Sequence, residues 1–165
     1  MEDSHPPEVN PANRLIEVTL DEASIGRNTP EVEQERKIAI LDILDGNHFE
    51  LDAGSPGPYR LALSMAEQRL VLTVADESGA QLIAFILSLS PFRKIVKDYF
   101  MVCDSYFQAI KTEPPSRIEA IDMGRRGLHD EGSKLLIERL AGKIKMDFNT
   151  ARRLFTLLCA LHWKG

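Results

Sequence analysis

Two arginines, one histidine and three acids fall within Ile121-Asp-Met-Gly-Arg-Arg-Gly-Leu-His-Asp-Glu-Gly132, together with three glycines. Charge at this density is poor core material and glycine is poor helix material. The segment therefore reads as a place to bind something. Arg125 and Arg126 each carry a planar fork of N–H donors that matches phosphate or carboxylate. Gly124 and Gly127 flank them and free the backbone. The pattern predicts one helix ending near residues 123–127 and a second beginning near residues 130–132. The free N–H groups of that second helix would open beside the arginines, and such a helix start favours an anion. Asp130 and Glu131 stand at the same place and compete for it. His129 next to Asp130 has the side chains of a general acid–base pair. The expected ligand-binding set is Arg125, Arg126, His129 and Asp130, with His129 and Asp130 the catalytic pair if the protein is an enzyme. The plain structural use of the same residues is an ion pair, Asp122 to Arg126, in the favourable four-residue spacing.

Other chemistries find less support. Three consecutive residues, His129 to Glu131, cannot point at one ion from a regular element, and no spaced His/Cys partners lie near them. His48 reads as a loop residue and His162 as the last turn of a helix, so no metal is expected. There is no Gly-x-Ser-x-Gly motif, and the glycines of residues 54–57 lack the lysine–serine ending of a phosphate loop. No cofactor is expected. Cys103 and Cys159 both sit in apolar helical patterns and read as buried free thiols.

The elements that must position these residues follow from the rest of the chain. Its 165 residues suffice for one domain with a real core. All nine prolines fall at punctuation points. Residues 1–12 are polar and proline-bearing and read as a disordered acidic tail; residues 13–165 form the domain. Residues 15–20 alternate as a strand with Ile16, Val18 and Leu20 inward. Thr29-Pro30 caps and opens a helix whose later half is apolar nearly all round and expected to be well buried. Residues 59–64, 69–75 and 81–89 read as three strands. The turn at Asp76 to Gly79 has hairpin chemistry, so the three are expected to be antiparallel neighbours. Ser90-Pro91 opens a helix with Phe92, Ile95, Val96, Tyr99, Phe100 and Tyr106 among its apolar face, expected to supply most of the aromatic core. Ser116 to Glu119 reads as a capping box. A last helix spans about residues 149–162, with Ala151, Leu154, Phe155, Leu158 and Leu161 inward. The fold class is α+β: a small, mainly antiparallel sheet of about four strands, an early helix, and a helical C-terminal half packed mostly on one face.

Charge is uneven. Residues 1–89 hold 6 lysines and arginines against 16 acids, while residues 90–165 hold 14 against 9. The second half could meet an anionic partner, but that excess is mild beside the basic stripe of a typical nucleic-acid binder. The basic groups Arg93-Lys94-Lys97, Lys143-Lys145 and Arg152-Arg153 lie on helical surfaces in this reading. The longest apolar runs, residues 82–87 and 157–161, fall far short of the roughly 20 residues that cross a bilayer. The first residues, Met-Glu-Asp-Ser-His-Pro-Pro-Glu, lack the regions of a signal peptide. No membrane partner is expected.

Three stretches together resemble a family of small uncharacterised proteins of alphaproteobacteria. They are Asn13-Arg-Leu-Ile-Glu-Val-Thr-Leu-Asp-Glu22, Leu87-Ser-Leu-Ser-Pro-Phe-Arg-Lys-Ile-Val-Lys-Asp-Tyr-Phe100 and Ile118-Glu-Ala-Ile-Asp-Met-Gly-Arg-Arg-Gly-Leu-His-Asp-Glu-Gly-Ser133. The closing Asp147-Phe-Asn-Thr-Ala-Arg-Arg-Leu-Phe155 is similar too. The resemblance implies a bacterial cytoplasmic protein and carries no catalytic residue, ligand or partner with it. The leading expectation is a non-enzymatic binding or regulatory protein that presents Arg125, Arg126, His129 and Asp130 at a helix junction to an acidic protein segment or a small anion. An enzyme acting on a phosphorylated or carboxylated metabolite is the second reading. A nucleic-acid binder using the basic helical half is the third.

Overall fold

The computed structural model describes residues 10–161. A hydrogen-bonded turn at residues 10–13 leads into β1 (Leu15–Leu20), followed by the single turn α1 (Glu22–Ile25) and by α2 (Pro30–Asp45). The short β2 (Phe49–Leu51) precedes a meander of β3 (Tyr59–Ala66), β4 (Arg69–Ala75) and β5 (Gln81–Ser88). A 3-10 turn at Ser90–Phe92 opens α3 (Arg93–Thr112); α4 (Pro115–Leu140), β6 (Ile144–Met146) and α5 (Phe148–Leu161) complete the described chain. The expected tail falls largely on residues 1–9, and His162 beyond Leu161; both lie outside the described residues.

The main sheet runs β1-β3-β4-β5. The meander is antiparallel throughout because its connections are short. Strand β1 pairs with β3 in parallel, and α1, α2 and β2 make the crossover that a parallel pair requires. The hairpin between β4 and β5 has the expected chemistry: the Asp76 carboxylate accepts N–H bonds from Ser78 and Ala80, and Gly79 takes a φ of 96°. One face of the sheet carries Leu61, Leu63, Leu70, Leu72 and Leu87 against Leu136 and Leu140 of α4 and Leu154, Leu157, Leu158 and Leu161 of α5. The fold is α+β, with a mostly antiparallel sheet and a helical C-terminal half, as the periodicities required.

Several local expectations give way. The largest is the break between two helices at residues 123–132: α4 runs unbroken through it for 26 residues. Glycine costs about 1 kcal/mol in a helix interior, and packing of the later turns outweighs that cost. No helix start therefore opens beside Arg125 and Arg126. The capping box also fails, because Pro115 occupies the first helical position and Pro114 the cap, leaving Ser116 inside the helix. The later half of α2 buries Ala39 and Ile43 but leaves Ile38 and Leu41 exposed, since only one side of it meets the molecule. Helix α3 does not dominate the aromatic core: among the described residues the fully buried rings are Phe49, Tyr59, Phe92 and Phe155, while Phe107 near its end is exposed. A register shift between Leu15 and Glu17 puts Leu15 and Val18 in the core, breaking simple alternation. Strands β2 and β6, paired antiparallel, were too short to show a period.

Two buried polar side chains tie distant elements together. Arg36 of α2 is buried; its Nε donates to the carbonyl of Ala160 at 3.0 Å and its Nη1 to that of Gly26 at 2.8 Å. It holds the last turn of α5 against α2, where a cation meets the negative end of the helix. Thr150, also buried, accepts the His48 N–H at 2.8 Å and so fixes the start of α5 beside β2.

Candidate functional site

Three helices converge their polar residues on one cleft of about 450 Å³. Helix α4 lends Arg125, Arg126 and His129, which sit one and four residues apart and so share a side. Helix α5 lends Asn149, Arg152, Arg153 and Thr156, a stripe at helical spacing on an otherwise buried helix. Helix α2 contributes Ala39 and Asp42, and α3 contributes Tyr99. Among the described residues, four guanidinium groups line the cleft against the single carboxylate of Asp42.

Each arginine is held, and each keeps donors to spare. Asp122 serves both residues of the first pair: Arg125 Nε donates to its Oδ1 at 3.0 Å, and Arg126 Nη2 lies 2.8 Å from its Oδ2. The Arg125 guanidinium also lies over the Tyr106 ring, 4.8 Å from its centroid. The Arg125 bond holds the Asp122 carboxyl below the ordinary carboxylate range. Neither arginine is sealed off: the side chains are 33% and 68% exposed. In the second pair, Arg152 Nε stands 3.5 Å from Asp130 Oδ1. Arg153 Nη1 donates to the backbone oxygens of Asp42, at 3.0 Å, and of Gly46, which caps the end of α2.

His129 bridges the two helices rather than facing the cleft as a free base. Its Nε2 lies 2.8 Å from Thr156 Oγ1, whose hydroxyl reaches the Arg152 carbonyl at 3.1 Å. Its ring packs against Tyr99 and Phe155, with centroids 5.4 and 5.2 Å away. Its Nδ1 is buried with no hydrogen-bond partner among the described residues. Burial lowers its pKa, the positive charge of Arg152 adds to the effect, and Asp130 partly opposes it. The imidazole is therefore neutral at pH 7. Burial raises the Tyr99 phenol and the Cys159 thiol well above their ordinary ranges and the Cys103 thiol above its own, so all three stay protonated.

Of the residues picked out by sequence, Arg125, Arg126 and His129 come together in the cleft. Asp130 does not line it and acts on it through Arg152. Arg152 and Arg153 join the cleft, while Arg93, Lys94, Lys97, Lys143 and Lys145 do not. Arg93 reaches Gln68, Lys94 pairs with Asp98, and Lys145 pairs with Asp52. Sequence reasoning missed Asn149, Thr156, Tyr99 and Asp42. The signal for the first two was the polar spacing of residues 149, 152, 153 and 156 along α5. Among the described residues, no three His, Cys, Asp or Glu side chains form a group able to hold a metal ion.

A family model described as an uncharacterised protein family, UPF0262, matches residues 12–164. The chain belongs to the UPF0262 family. A UPF0262 protein of Mesorhizobium japonicum is 60% identical over 153 residues, 92% of this chain and 94% of that one. Another from Rhodopseudomonas palustris strain BisB5 is 56% identical over the full length of both chains. A third, from Xanthobacter autotrophicus, is 57% identical over 98% of this chain and 99% of its own. No solved structure matches the chain. Family membership covers both α4 and α5, and so every arginine of the cleft. No helix among the described residues is long and apolar enough to cross a membrane.

Proposed function

We propose that this protein binds a small organic anion in the four-arginine cleft, as a binding or regulatory protein. The convergence of Arg125, Arg126, Arg152 and Arg153 on one cavity carries this reading. Guanidinium forks satisfy phosphate or carboxylate oxygens with charge-assisted hydrogen bonds. A concave site of this volume suits a small molecule better than an acidic protein segment, which needs a longer surface. Binding is favoured over catalysis by the state of His129. One ring nitrogen is engaged by Thr156 and the other is shut away, so neither is poised to exchange a proton with a ligand. Nucleic acid is disfavoured because the remaining basic groups stay outside the cleft. We place the protein in the cytoplasm, a reading supported by the free state of Cys103 and Cys159.

Thermal unfolding with and without added anions tests the proposal. Phosphate or a phosphorylated metabolite at a hundred times its dissociation constant should raise the midpoint by on the order of 5–10 °C. Arg152→Met should remove most of that rise. No shift with any phosphorylated or polycarboxylated compound would sink the proposal.

A further inference from the structure

We infer that the ligand carries two phosphoryl groups, one at each end of a short hydroxylated carbon chain; this deepens the anion-binding reading and rests on it. The cations come as two separate pairs on two different helices, Arg125 with Arg126 on α4 and Arg152 with Arg153 on α5. A single phosphoryl group would leave one pair unused. Each pair is anchored on its own side of the cleft. Asp122 holds the first pair; Asp130 and the end of α2 hold the second. The cleft the pairs line, about 450 Å³, is far larger than one phosphoryl group fills, so a ligand that meets both pairs from their own sides spans more than the one bridging oxygen of pyrophosphate.

The donors left over match that ligand. Among the described residues, Nη1 of Arg125, Nε and Nη1 of Arg126, both terminal nitrogens of Arg152, and Nε and Nη2 of Arg153 engage no acceptor. Each pair can thus offer one phosphoryl group several charge-assisted bonds without giving up its anchor. The remaining polar lining is of a different kind. The Asp42 carboxylate and the Asn149 amide line the same cleft, and among the described residues neither side-chain group has a hydrogen-bond or ion-pair partner. A carboxylate there repels a third anionic group and accepts hydrogen bonds from hydroxyls. A neutral, hydroxylated spacer satisfies it.

Isothermal titration of the full chain with inorganic phosphate, pyrophosphate and a hexose bisphosphate tests the inference. Joining two weak subsites through a short spacer should make the hexose bisphosphate bind at least about 100-fold tighter than inorganic phosphate. Pyrophosphate should fall well below the bisphosphate. Arg126→Met and Arg152→Met, at opposite ends, should each reduce bisphosphate affinity to near that of inorganic phosphate, while Lys143→Met leaves it unchanged. The wild-type ratios stand by themselves if either arginine variant is poorly folded. Equal affinity for phosphate and bisphosphate, or pyrophosphate binding as tightly as the bisphosphate, overturns the two-ended ligand and leaves anion binding intact. If none of the three binds while a polycarboxylate raises the unfolding midpoint, the phosphoryl ligand falls and anion binding stands; if no polycarboxylate acts either, both readings fall.

Discussion

The two halves of α4 share one unbroken backbone but are held by opposite means. The half before Gly127 lies on the surface, with Met123 exposed, and its Gly124 and Gly127 face space in which an added Cβ would meet nothing within 4 Å. It packs on α3 with Ile118 and Ile121 half-buried, and ion pairs to Asp122 and the stacking of Arg125 on Tyr106 add to its order. The half after His129 is packed. Gly132 and Ser133 are buried, Leu136 and Leu140 enter the core, and a Cβ at Gly132 would lie 2.1 Å from the Phe155 ring. Glycine loosens the helix in the first half and admits a neighbour in the second. The cleft sits at the boundary: Arg125 and Arg126 extend from the loose half, Arg152 and Arg153 from α5, and its floor is fixed where His129 meets Thr156 of α5.

Cutting into the packed half should have the largest effect. Phe155→Ala should destabilise the protein by about 3–5 kcal/mol, because the ring is fully buried among Tyr99, His129 and Gly132. Chemical denaturation measures this; a loss under about 1 kcal/mol would mean that the two helices do not meet there. Gly132→Ala should cost about 1–3 kcal/mol by the same assay, since the Phe155 ring is hemmed in and cannot yield. Gly124→Ala and Gly127→Ala should go the other way, each adding up to about 1 kcal/mol through helix propensity alone. If instead they destabilise, α4 is bent at these residues in solution and the contrast between the halves is wrong.

Smaller effects sharpen the boundary itself. The folded-state pKa of His129 lies below its ordinary value near 6.5. As pH falls, the unfolded chain takes up that proton first, so the histidine's contribution is complete above about pH 6.5 and is lost as pH drops through the folded value. Stability measured from pH 8 to pH 5 should therefore decline more in the wild type than in His129→Gln. Parallel curves would show that the imidazole is not desolvated. Asp42→Asn should tighten inorganic phosphate by about two- to fivefold, the scale of one partly screened charge. Weaker binding in that variant would place the anion away from α2.

Why part of this was legible comes down to which interactions are local. The Thr29 cap, the Asp76–Gly79 turn and the β3 to β5 meander are decided by residues a few positions apart, and each stands where the pattern put it. The helix break at residues 123–132 was misread because local propensity was its only witness. The force that overrides it is burial against α5, more than twenty residues away along the chain.

The same distinction divides the site. By itself the sequence determined the apolar arc of α5 and singled out Arg125, Arg126 and His129 by their chemistry; that these three share one helical side follows from 3.6 residues per turn only because α4 runs unbroken. Only the tertiary structure decided that these surfaces face each other, that Asp130 props Arg152 instead of meeting a ligand, and that His129 bonds Thr156. A helix's period says which residues point together. Which helix they point at is settled by the fit of whole surfaces, here by the Phe155 ring lying against the bare backbone of Gly132.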